Sequence, residues 1–324
     1  MAAAAAGLAA AWWLLPPDAW PASHPPGARI RVEAGSGAAV VGASLAQQGW
    51  VRSAAAFVVW SRLTGSDRQL QAGYYRAAGR LNLVELVRLL TSGRPLEETV
   101  TIPEGSTIRT IAALLAQRGL VDPDRFVRLA LDDRWLGGEL ARRLGKPPGS
   151  LEGYLFPDTY RFSPGQGEEQ ILRRMVARFV ERVLPIYREL GEGTGLSLHE
   201  AVILASIVEK EAMVDPERPL IASVFRNRLR LGRPLQADPT VLYALGDGPR
   251  RLTRDDLAVD SPYNTYRYPG LPPTPIASPG EASLRAVLAP ASTPYLYFVA
   301  RGDGTHIFSR TFREHRQARQ QAGY

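Results

Sequence analysis

A repeat with an offset of 70 residues constrains the fold of this 324-residue chain more than any other feature of its sequence. Residues 32–51, VEAGSGAAVVGASLAQQGWV, align with residues 102–121, IPEGSTIRTIAALLAQRGLV. In each copy a short β-type segment leads to Gly-Ser, which suits a turn and a helix N-cap, and an apolar helical pattern then runs to a glycine. A second helical pattern follows at residues 53–63 and 123–131. The repeat therefore predicts two related strand–helix–helix units.

The first copy also has a returning strand, because LQAGYYRAAG (70–79) follows its second helix and is rich in strand-forming residues. Strand–helix–helix–strand is the arrangement of LysM-like modules, which bind glycans. The alternative is a generic α+β unit that binds nothing. We predict an α+β chain with three parts: an apolar N-terminal segment and Pro-rich spacer at 1–27, a LysM-like module at 28–100, and a larger mixed helical and β domain at 101–324.

Three further segments give the larger domain its predicted elements. Residues 167–190 have apolar side chains at helical spacing, which predicts an amphipathic packing helix. Residues 295–310 predict a β-hairpin around Asp303-Gly304, and residues 311–321 predict a solvated terminal helix. Residues 151–162, LEGYLFPDTYRF, gather aromatic rings around Glu152 and Asp158. That cluster suits stacking against sugar rings, and the alternative is a buried loop with a structural aspartate cap.

Composition excludes several kinds of chemistry. The chain has no cysteine, which excludes disulfides, thiolate metal sites and a cysteine nucleophile. Its four histidines form no His-x-x-x-His pair, and no phosphate-binding glycine motif is present, so we expect neither a metal nor a cofactor. The net charge of +7 suits nucleic acid, anionic lipid or an acidic wall polymer, or equally an Arg-rich proteome. Because no basic run is interleaved with aromatic residues, we expect no nucleic-acid partner.

The first 15 residues, MAAAAAGLAAAWWLL, are apolar and uncharged. This run is shorter than the roughly 20 residues that a membrane-spanning helix needs, and it lacks the basic region of a signal peptide. Trp12 and Trp13 suit a membrane interface. We therefore expect a membrane anchor with a shortened or misassigned start in preference to a soluble helix.

A second constraint is the apolar helical pattern HEAVILASIVEKEA (199–212), which ends in two glutamates. Glu209 and Glu211 point about 200° apart on a helix, so they cannot share a face. The helix has one predicted buried stripe, made by Leu204, Ile207 and Val208. Glu211 continues this stripe, whereas Glu209 lies at its edge or faces away.

A carboxylate at the end of a buried row is costly unless it is paired or protonated. Burial raises its pKa, and a general acid that works near neutral pH needs a raised pKa. The alternatives are a structural ion pair of Glu211 with Arg218 or Arg226, and a helix that frays before Glu211.

Two later loops hold polar side chains that suit sugar binding. The first follows an amphipathic helix and contains Gln236 and Asp238. The second, SPYNTYRYPGLPPTPIASPG (261–280), is long and rich in aromatic residues and proline. Long loops in compact domains are usually functional, and amide and tyrosine side chains can contact sugar hydroxyl and N-acetyl groups.

Six segments in order resemble the endolytic murein transglycosylase family (MltG or YceG-like) over roughly residues 28–320: LEGYLFPDTY, ASIVEKEA, ERPLIASVFRNRL, LQADPTVLYALG, SPYNTYRYPGLPPTPIASPG and PYLYFVARGDGTHIFSRTFREH. The resemblance implies a LysM-like module, an N-terminal membrane anchor, and a catalytic domain outside the cytoplasm. It implies cleavage within nascent peptidoglycan strands at the β-1,4 bond between N-acetylmuramic acid and N-acetylglucosamine, which leaves 1,6-anhydro ends. The N-terminus departs from the family because its apolar run is short and lacks flanking basic residues.

The resemblance assigns catalysis to Glu211, the second glutamate of the E-K-E motif, and a substrate contact to Asn264 of the Y-N-T-Y motif. Glu209 is a secondary candidate that orients Lys210 or a nearby arginine. The full set of expected substrate-binding residues is Glu152, Gln236, Asp238, Tyr263, Asn264 and Tyr266.

Two alternatives to this function stay open at this point. One is a hydrolytic muramidase in which Glu152 supplies a second carboxylate, and Glu152 could instead support Glu211 indirectly. The other is a non-catalytic peptidoglycan-binding scaffold of the cell-wall machinery. The expected partners are glycan strands, peptidoglycan synthases and the membrane.

Overall fold

The computed structural model describes residues 24, 27–33, 35–77, 79–93, 95–145, 149–246 and 252–323. These residues form helices and short two-stranded sheets, which confirms the predicted α+β class. The chain divides into two compact units. The first runs to Thr99 and includes Arg161–Gly167, and the second comprises Val100–Tyr160 and Glu168–Tyr324.

The predicted anchor at residues 1–15 lies outside the described residues, as does most of the spacer up to residue 27. Within the described ranges, no helix combines the length and the apolar character needed to cross a membrane.

The first unit contains the predicted strand–helix–helix–strand order. Its elements are β1 (Arg29–Val32), α1 (Ala38–Gln47), α2 (Ala54–Leu63), β2 (Gly73–Arg76) and α3 (Leu83–Ser92). β1 and β2 are antiparallel, with Arg29 opposite Arg76 and Val32 opposite Gly73. Alternate strand residues and the inner faces of the helices share one apolar core, which includes Ile30, Leu45, Phe57, Tyr75 and Leu86.

The second copy of the repeat begins with β3 (Glu98–Thr101), α4 (Ile108–Gln117) and α5 (Pro123–Leu131). Gly49 and Gly119, which follow the first helix of each copy, have φ of 79° and 66°. A residue that ends a helix in this left-handed conformation is usually glycine, as the sequence predicted. The predicted serine caps are wrong by one residue, because the N-caps are Gly37 and Thr107.

The chain continues with α6 (Gly138–Leu144), β4 (Thr159–Phe162), α7 (Glu168–Leu190), α8 (Leu198–Glu211), α9 (Arg218–Arg230), α10 (Asp238–Ala244), α11 (Glu281–Leu288), β5 (Tyr297–Ala300), β6 (His306–Ser309) and α12 (Phe312–Gln321). β3 pairs with β4, and β5 pairs antiparallel with β6. The predicted amphipathic helix and the C-terminal hairpin are therefore confirmed.

Helix α8 lies at the centre of the second unit. Ser197 caps its N-terminus, and Glu200 completes a capping box by accepting hydrogen bonds from Ser197. All residues from Ala201 to Val208 are buried, and α8 packs against α9, α10 and α11. A helix that is apolar on every side is a core helix, so the prediction of a single buried stripe is wrong. The burial of α8 fixes the position of its C-terminal residues.

Candidate active site

Glu211 is the last residue of α8 and opens into a pocket of about 330 Å³. The helix does not fray before it, so that alternative is wrong. The walls come from α9, the segment that precedes α10, the 261–280 loop, the hairpin and α12. The lining residues are Glu211, Phe225, Arg228, Leu235, Gln236, Asp238, Tyr266, Tyr297, Phe298, Phe312, His315 and Arg319.

The environment of Glu211 favours its protonated form. Among the described residues, none forms a hydrogen bond or an ion pair with its carboxyl group. Arg218 pairs with Glu209 instead, and Arg226 donates to the carbonyl of Thr194, so the alternative of a structural ion pair is wrong.

Burial away from water is the largest cause of a raised pKa at Glu211, and the nearby charge of Asp238 raises it further. The positive charge of Arg228 acts in the opposite direction, and the resulting pKa is about 8. The carboxyl group of Glu211 therefore keeps its proton at neutral pH.

Glu209 occupies a different environment two residues earlier. Its carboxylate accepts hydrogen bonds from Arg218 Nη1 at 3.1 Å, the Gly280 amide at 3.0 Å and Ser283 Oγ at 2.8 Å. Its side chain is only 6% exposed, so of the two placements predicted for Glu209, at the edge of the buried stripe or facing away, the second is wrong. Lys210 donates elsewhere, to the carbonyl of Gly105. The contacts of Glu209 are those of a buried ion pair that joins α8 to α9 and α11.

Four of the predicted site residues lie together in the pocket: Glu211, Gln236, Asp238 and Tyr266. The hydroxyl of Tyr266 donates to Asp238 Oδ1, which ties the long loop to the first turn of α10. Gln236 has φ of 51° and is the one non-glycine residue with positive φ in the described part of the chain. Backbone strain of this kind is concentrated at functional sites, where the surrounding structure holds it in place.

Arg228 is a pocket residue that the sequence analysis missed. It is buried, and it donates to the carbonyls of Leu296 and Leu235, each at 2.7 Å. Its guanidinium lies 5.0 Å from the ring centre of Tyr297 and donates to Gln236 Oε1 at 3.2 Å. These contacts hold a fixed positive charge beside Glu211.

Glu152 does not line the pocket. It is 3% exposed, and its carboxylate accepts a hydrogen bond from the Ile108 amide, the first residue of α4, at 3.0 Å. Tyr243 Oη also donates to Glu152, at 3.2 Å. A carboxylate at a helix N-terminus satisfies a free amide and the helix dipole, so these contacts are structural.

The aromatic residues around Glu152, which are Tyr154, Phe156, Tyr160 and Phe162, are buried. The interpretation of an exposed sugar-stacking cluster is therefore wrong, and the alternative of a buried loop is correct. Asp158 accepts hydrogen bonds from the Thr159 amide and from Arg178, which also agrees with that alternative.

Asn264 and Tyr263 also lie outside the pocket lining. Asn264 is fully buried, and its Nδ2 donates to the carbonyls of Leu257 and Val259 while its Oδ1 accepts from the Tyr266 amide. The hydroxyl of Tyr263 lies 2.8 Å from Thr274 Oγ1. Both side chains shape the long loop, and Asn264 thereby positions the backbone of Tyr266.

Sequence reasoning also missed Phe225 of α9 and Leu235 before α10, and the remaining pocket residues come from the hairpin and from α12. Phe312, His315 and Arg319 stand three and four residues apart and so share one face of α12. Phe312 is 60% exposed. This face was included in a helix predicted to be solvated. The signal that could have revealed this face is an aromatic residue at helical spacing from a histidine and an arginine.

The chain is similar to known proteins in sequence and in structure. The model of the YceG-like family matches residues 30–321. An endolytic murein transglycosylase of Bacillus subtilis (strain 168) is 34% identical over 305 residues, which cover 90% of this chain and 83% of that protein. An endolytic murein transglycosylase of Streptococcus pneumoniae serotype 2 is 30% identical over 84% of this chain, and this chain spans about half of its length, 54%. A crystal structure of a YceG-like protein from Listeria monocytogenes is 33% identical with a TM-score of 0.62, covering 89% of this chain and 97% of that one.

Proposed function

The chain belongs to the YceG-like family, and from that premise we propose that it is an endolytic lytic transglycosylase of peptidoglycan. The reaction cleaves the β-1,4 bond between N-acetylmuramic acid and N-acetylglucosamine within nascent strands. It leaves 1,6-anhydro ends and so terminates strand elongation. The observation that carries the proposal is Glu211, an unpaired carboxyl group with a pKa of about 8 in a pocket lined by aromatic and polar side chains.

Glu211 supplies the proton for the first half of the reaction. At neutral pH it is protonated, and it donates this proton to the glycosidic oxygen as the bond to the muramic C1 breaks. The N-acetyl group of the muramic residue assists at C1. The site needs an acid whose pKa is close to the working pH, and the burial of Glu211 provides one.

The same carboxylate serves as the base in the second half. The muramic C6 hydroxyl attacks C1, and ionised Glu211 accepts the hydroxyl proton as the anhydro ring closes. Glu211 ends the cycle protonated, and no water is consumed. The fixed charge of Arg228 stabilises the ionised form between the two steps, whereas Asp238 keeps the pKa high enough for reprotonation.

Other pocket residues suit sugar binding. The exposed ring of Phe312 offers a surface for stacking against a pyranose ring, and Gln236 offers an amide for a hydroxyl or N-acetyl group. We further propose that Asn264 and Tyr263 act by holding the 261–280 loop in place, and that Glu152 holds α4 in place, without touching substrate.

Hydrolysis is the second candidate reaction, because Asp238 shares the pocket with Glu211. Two carboxylates are the usual equipment of a glycoside hydrolase, where one activates water. Asp238 accepts a hydrogen bond from Tyr266, which occupies part of its capacity as a base. The products decide between the two reactions, since an anhydro product is one water lighter than a hydrolytic one.

The test is digestion of purified peptidoglycan, with the products read by mass spectrometry. The wild type should release anhydro-ended fragments, and Glu211→Gln should lose at least about a hundredfold in rate, the usual contribution of a general acid and base. Glu181→Gln is the matched control, because its exposed side chain on α7 makes only a surface ion pair with Arg178. Substantial activity of Glu211→Gln, or products of hydrolytic mass, would overturn the mechanism. Strand binding without cleavage by the wild type would favour a scaffold.

Three further proposals concern the surroundings of the catalytic domain. The strand–helix–helix–strand module at 28–100 binds glycan in the manner of a LysM module. Residues 1–15 tether the chain to the cell membrane, with the catalytic domain outside the cytoplasm. Peptidoglycan synthases are the protein partners. Deletion of residues 1–15, followed by membrane fractionation, tests the tether. Binding of the chain to isolated peptidoglycan, compared between the wild type and variants with substitutions in the first unit, tests the glycan contact.

A further inference from the structure

Helix α9 presents its two opposite faces to two separate cavities. Phe225 and Arg228 face the catalytic pocket. Residues at positions 223, 226, 227 and 230 recur every three or four residues, and they share the other face of the helix. That face lines a second cleft of about 590 Å³, completed by Thr194, Leu196, Leu229, Pro290, Ala291, Ser292 and Thr293. The two cavities have no lining residue in common.

Two arginines of the second cleft, Arg226 and Arg230, stand four residues apart on α9. Arg226 donates to the carbonyl of Thr194, and Arg230 Nη2 donates to Asn227 Oδ1 at 2.9 Å. No described Asp or Glu forms an ion pair with either guanidinium. Like charges at this helical spacing repel each other, and burial together with the charge of Arg230 lowers the pKa of Arg226. An anion placed between them would relieve both costs.

Hydrogen bonds tie the segment at Thr293–Tyr295 to the face of α9 that carries the arginines. Ser223 Oγ lies 2.7 Å from Thr293 Oγ1, and Asn227 Nδ2 donates to the carbonyls of Thr293 and Tyr295 at 2.8 and 2.9 Å. Each guanidinium has five N–H donors and only one of the hydrogen bonds above, so donors remain for a ligand. The cleft is thus preorganised, and it carries positive charge and hydroxyl groups.

We propose that this cleft is a binding site for an anionic group, a carboxylate or a phosphate, held between Arg226 and Arg230. Guanidinium groups bind both anions through paired, charge-assisted hydrogen bonds. The carboxylate would come from a peptide attached to the wall polymer, and the phosphate from a phosphodiester polymer or from free phosphate. The site lies outside the catalytic pocket and its occupation does not depend on the proposed reaction.

The experiment is an NMR titration that follows the arginine Nε–Hε signals of the full chain at constant ionic strength. Inorganic phosphate is the first probe, and the dipeptide D-alanyl-D-alanine, with its free carboxylate, is the second. The signals of Arg226 and Arg230, assigned through Arg226→Gln and Arg230→Gln, should shift and saturate with at least one probe. Tighter binding of phosphate would identify a phosphate source, and tighter binding of the dipeptide a peptide source.

Removal of either arginine should weaken binding about tenfold, the effect expected for one charge-assisted hydrogen bond. The cleft variant Arg226→Gln/Arg230→Gln has a matched control in Arg142→Gln/Arg143→Gln, at two exposed arginines of α6. Both double variants lose two positive charges, so a difference in binding between them reports the position of the charges. Arg230→Gln alone covers the case in which the double variant fails to fold, since Arg230 is exposed and contacts only a side chain. Shifts that stay linear with both probes, or equal binding by the control and cleft variants, would overturn the proposal.

Discussion

Replacement of each of the two glutamates at the end of α8 by glutamine should change the free energy of unfolding in opposite directions. Glu211 has a pKa of about 8 in the folded chain against an ordinary value of 4.5. Because the folded pKa is the higher one, the folded state binds the proton more tightly, and stability falls as the pH rises from about 4.5 to about 8. Glutamine cannot ionise, so Glu211→Gln removes this loss.

The size of the effect follows from the two pKa values. One pKa unit corresponds to about 1.4 kcal/mol, so the gain from Glu211→Gln should be about 1 kcal/mol at pH 5 and about 4 kcal/mol at pH 8. Glu209 instead shares a buried ion pair with Arg218, whose side chain is 10% exposed. Glu209→Gln leaves that arginine without its buried counter-charge, which should cost about 3 kcal/mol or more.

The assay is urea unfolding followed by circular dichroism at pH 5 and pH 8, read on the transition of the second unit. The wild type and both variants should show equal slopes, so that midpoints report stability. The reasoning about Glu211 is refuted if the gain of Glu211→Gln does not grow between pH 5 and pH 8. If both variants change the free energy of unfolding in the same direction, the two carboxyl groups do not occupy the two environments described above.

Three further outcomes are expected. Activity should decline as the pH rises past about 8, because Glu211 loses the proton it donates. Asp238→Asn should move this decline to lower pH, because it removes a negative charge that raises the pKa of Glu211. Measurements of the cleavage rate against pH check both outcomes. Glu152→Gln should lower the free energy of unfolding by about 1 kcal/mol while anhydro products are still formed, and an inactive but stable variant would contradict its structural role. Asn264→Ala should lower the melting temperature, since it leaves two carbonyls and one amide without this partner at a cost of about 1–3 kcal/mol for each group that stays buried. An unchanged melting temperature with lost activity would restore Asn264 as a substrate ligand.

The elements that the sequence predicted well are those with local causes. The glycines at 49 and 119, the long helix α7 and the hairpin at the C-terminus follow from backbone conformation and apolar spacing, which neighbouring residues determine. The helical wheel likewise separated the two glutamates of α8. It allowed Glu209 to face away from the core because a wheel assumes one buried side, whereas α8 packs against three helices.

The contacts of Glu152 depend on a distant part of the chain, and those of Asn264 depend on the conformation of its own loop. Glu152 meets an amide 44 residues away in sequence, and Asn264 is buried under its own loop. A polar side chain in an aromatic segment has the same appearance in sequence whether it binds a sugar or a backbone group of the protein. Only the tertiary fold shows that the protein itself uses these hydrogen-bonding groups.

Helix α12 shows why the pocket that we propose to bind glycan is difficult to detect in sequence. Such a pocket is filled with water when it is empty, so polar residues are suited to its wall. The distribution of polar and apolar residues along α12 therefore resembles that of a solvated helix. The feature that separates the two cases is Phe312, a large apolar ring left 60% exposed on the face that also carries His315 and Arg319. A single exposed apolar side chain is ordinary on a protein surface, but the position of this ring in the pocket lining suits stacking against a pyranose. We therefore propose that the face of α12 that carries Phe312, His315 and Arg319 is a binding surface of the pocket.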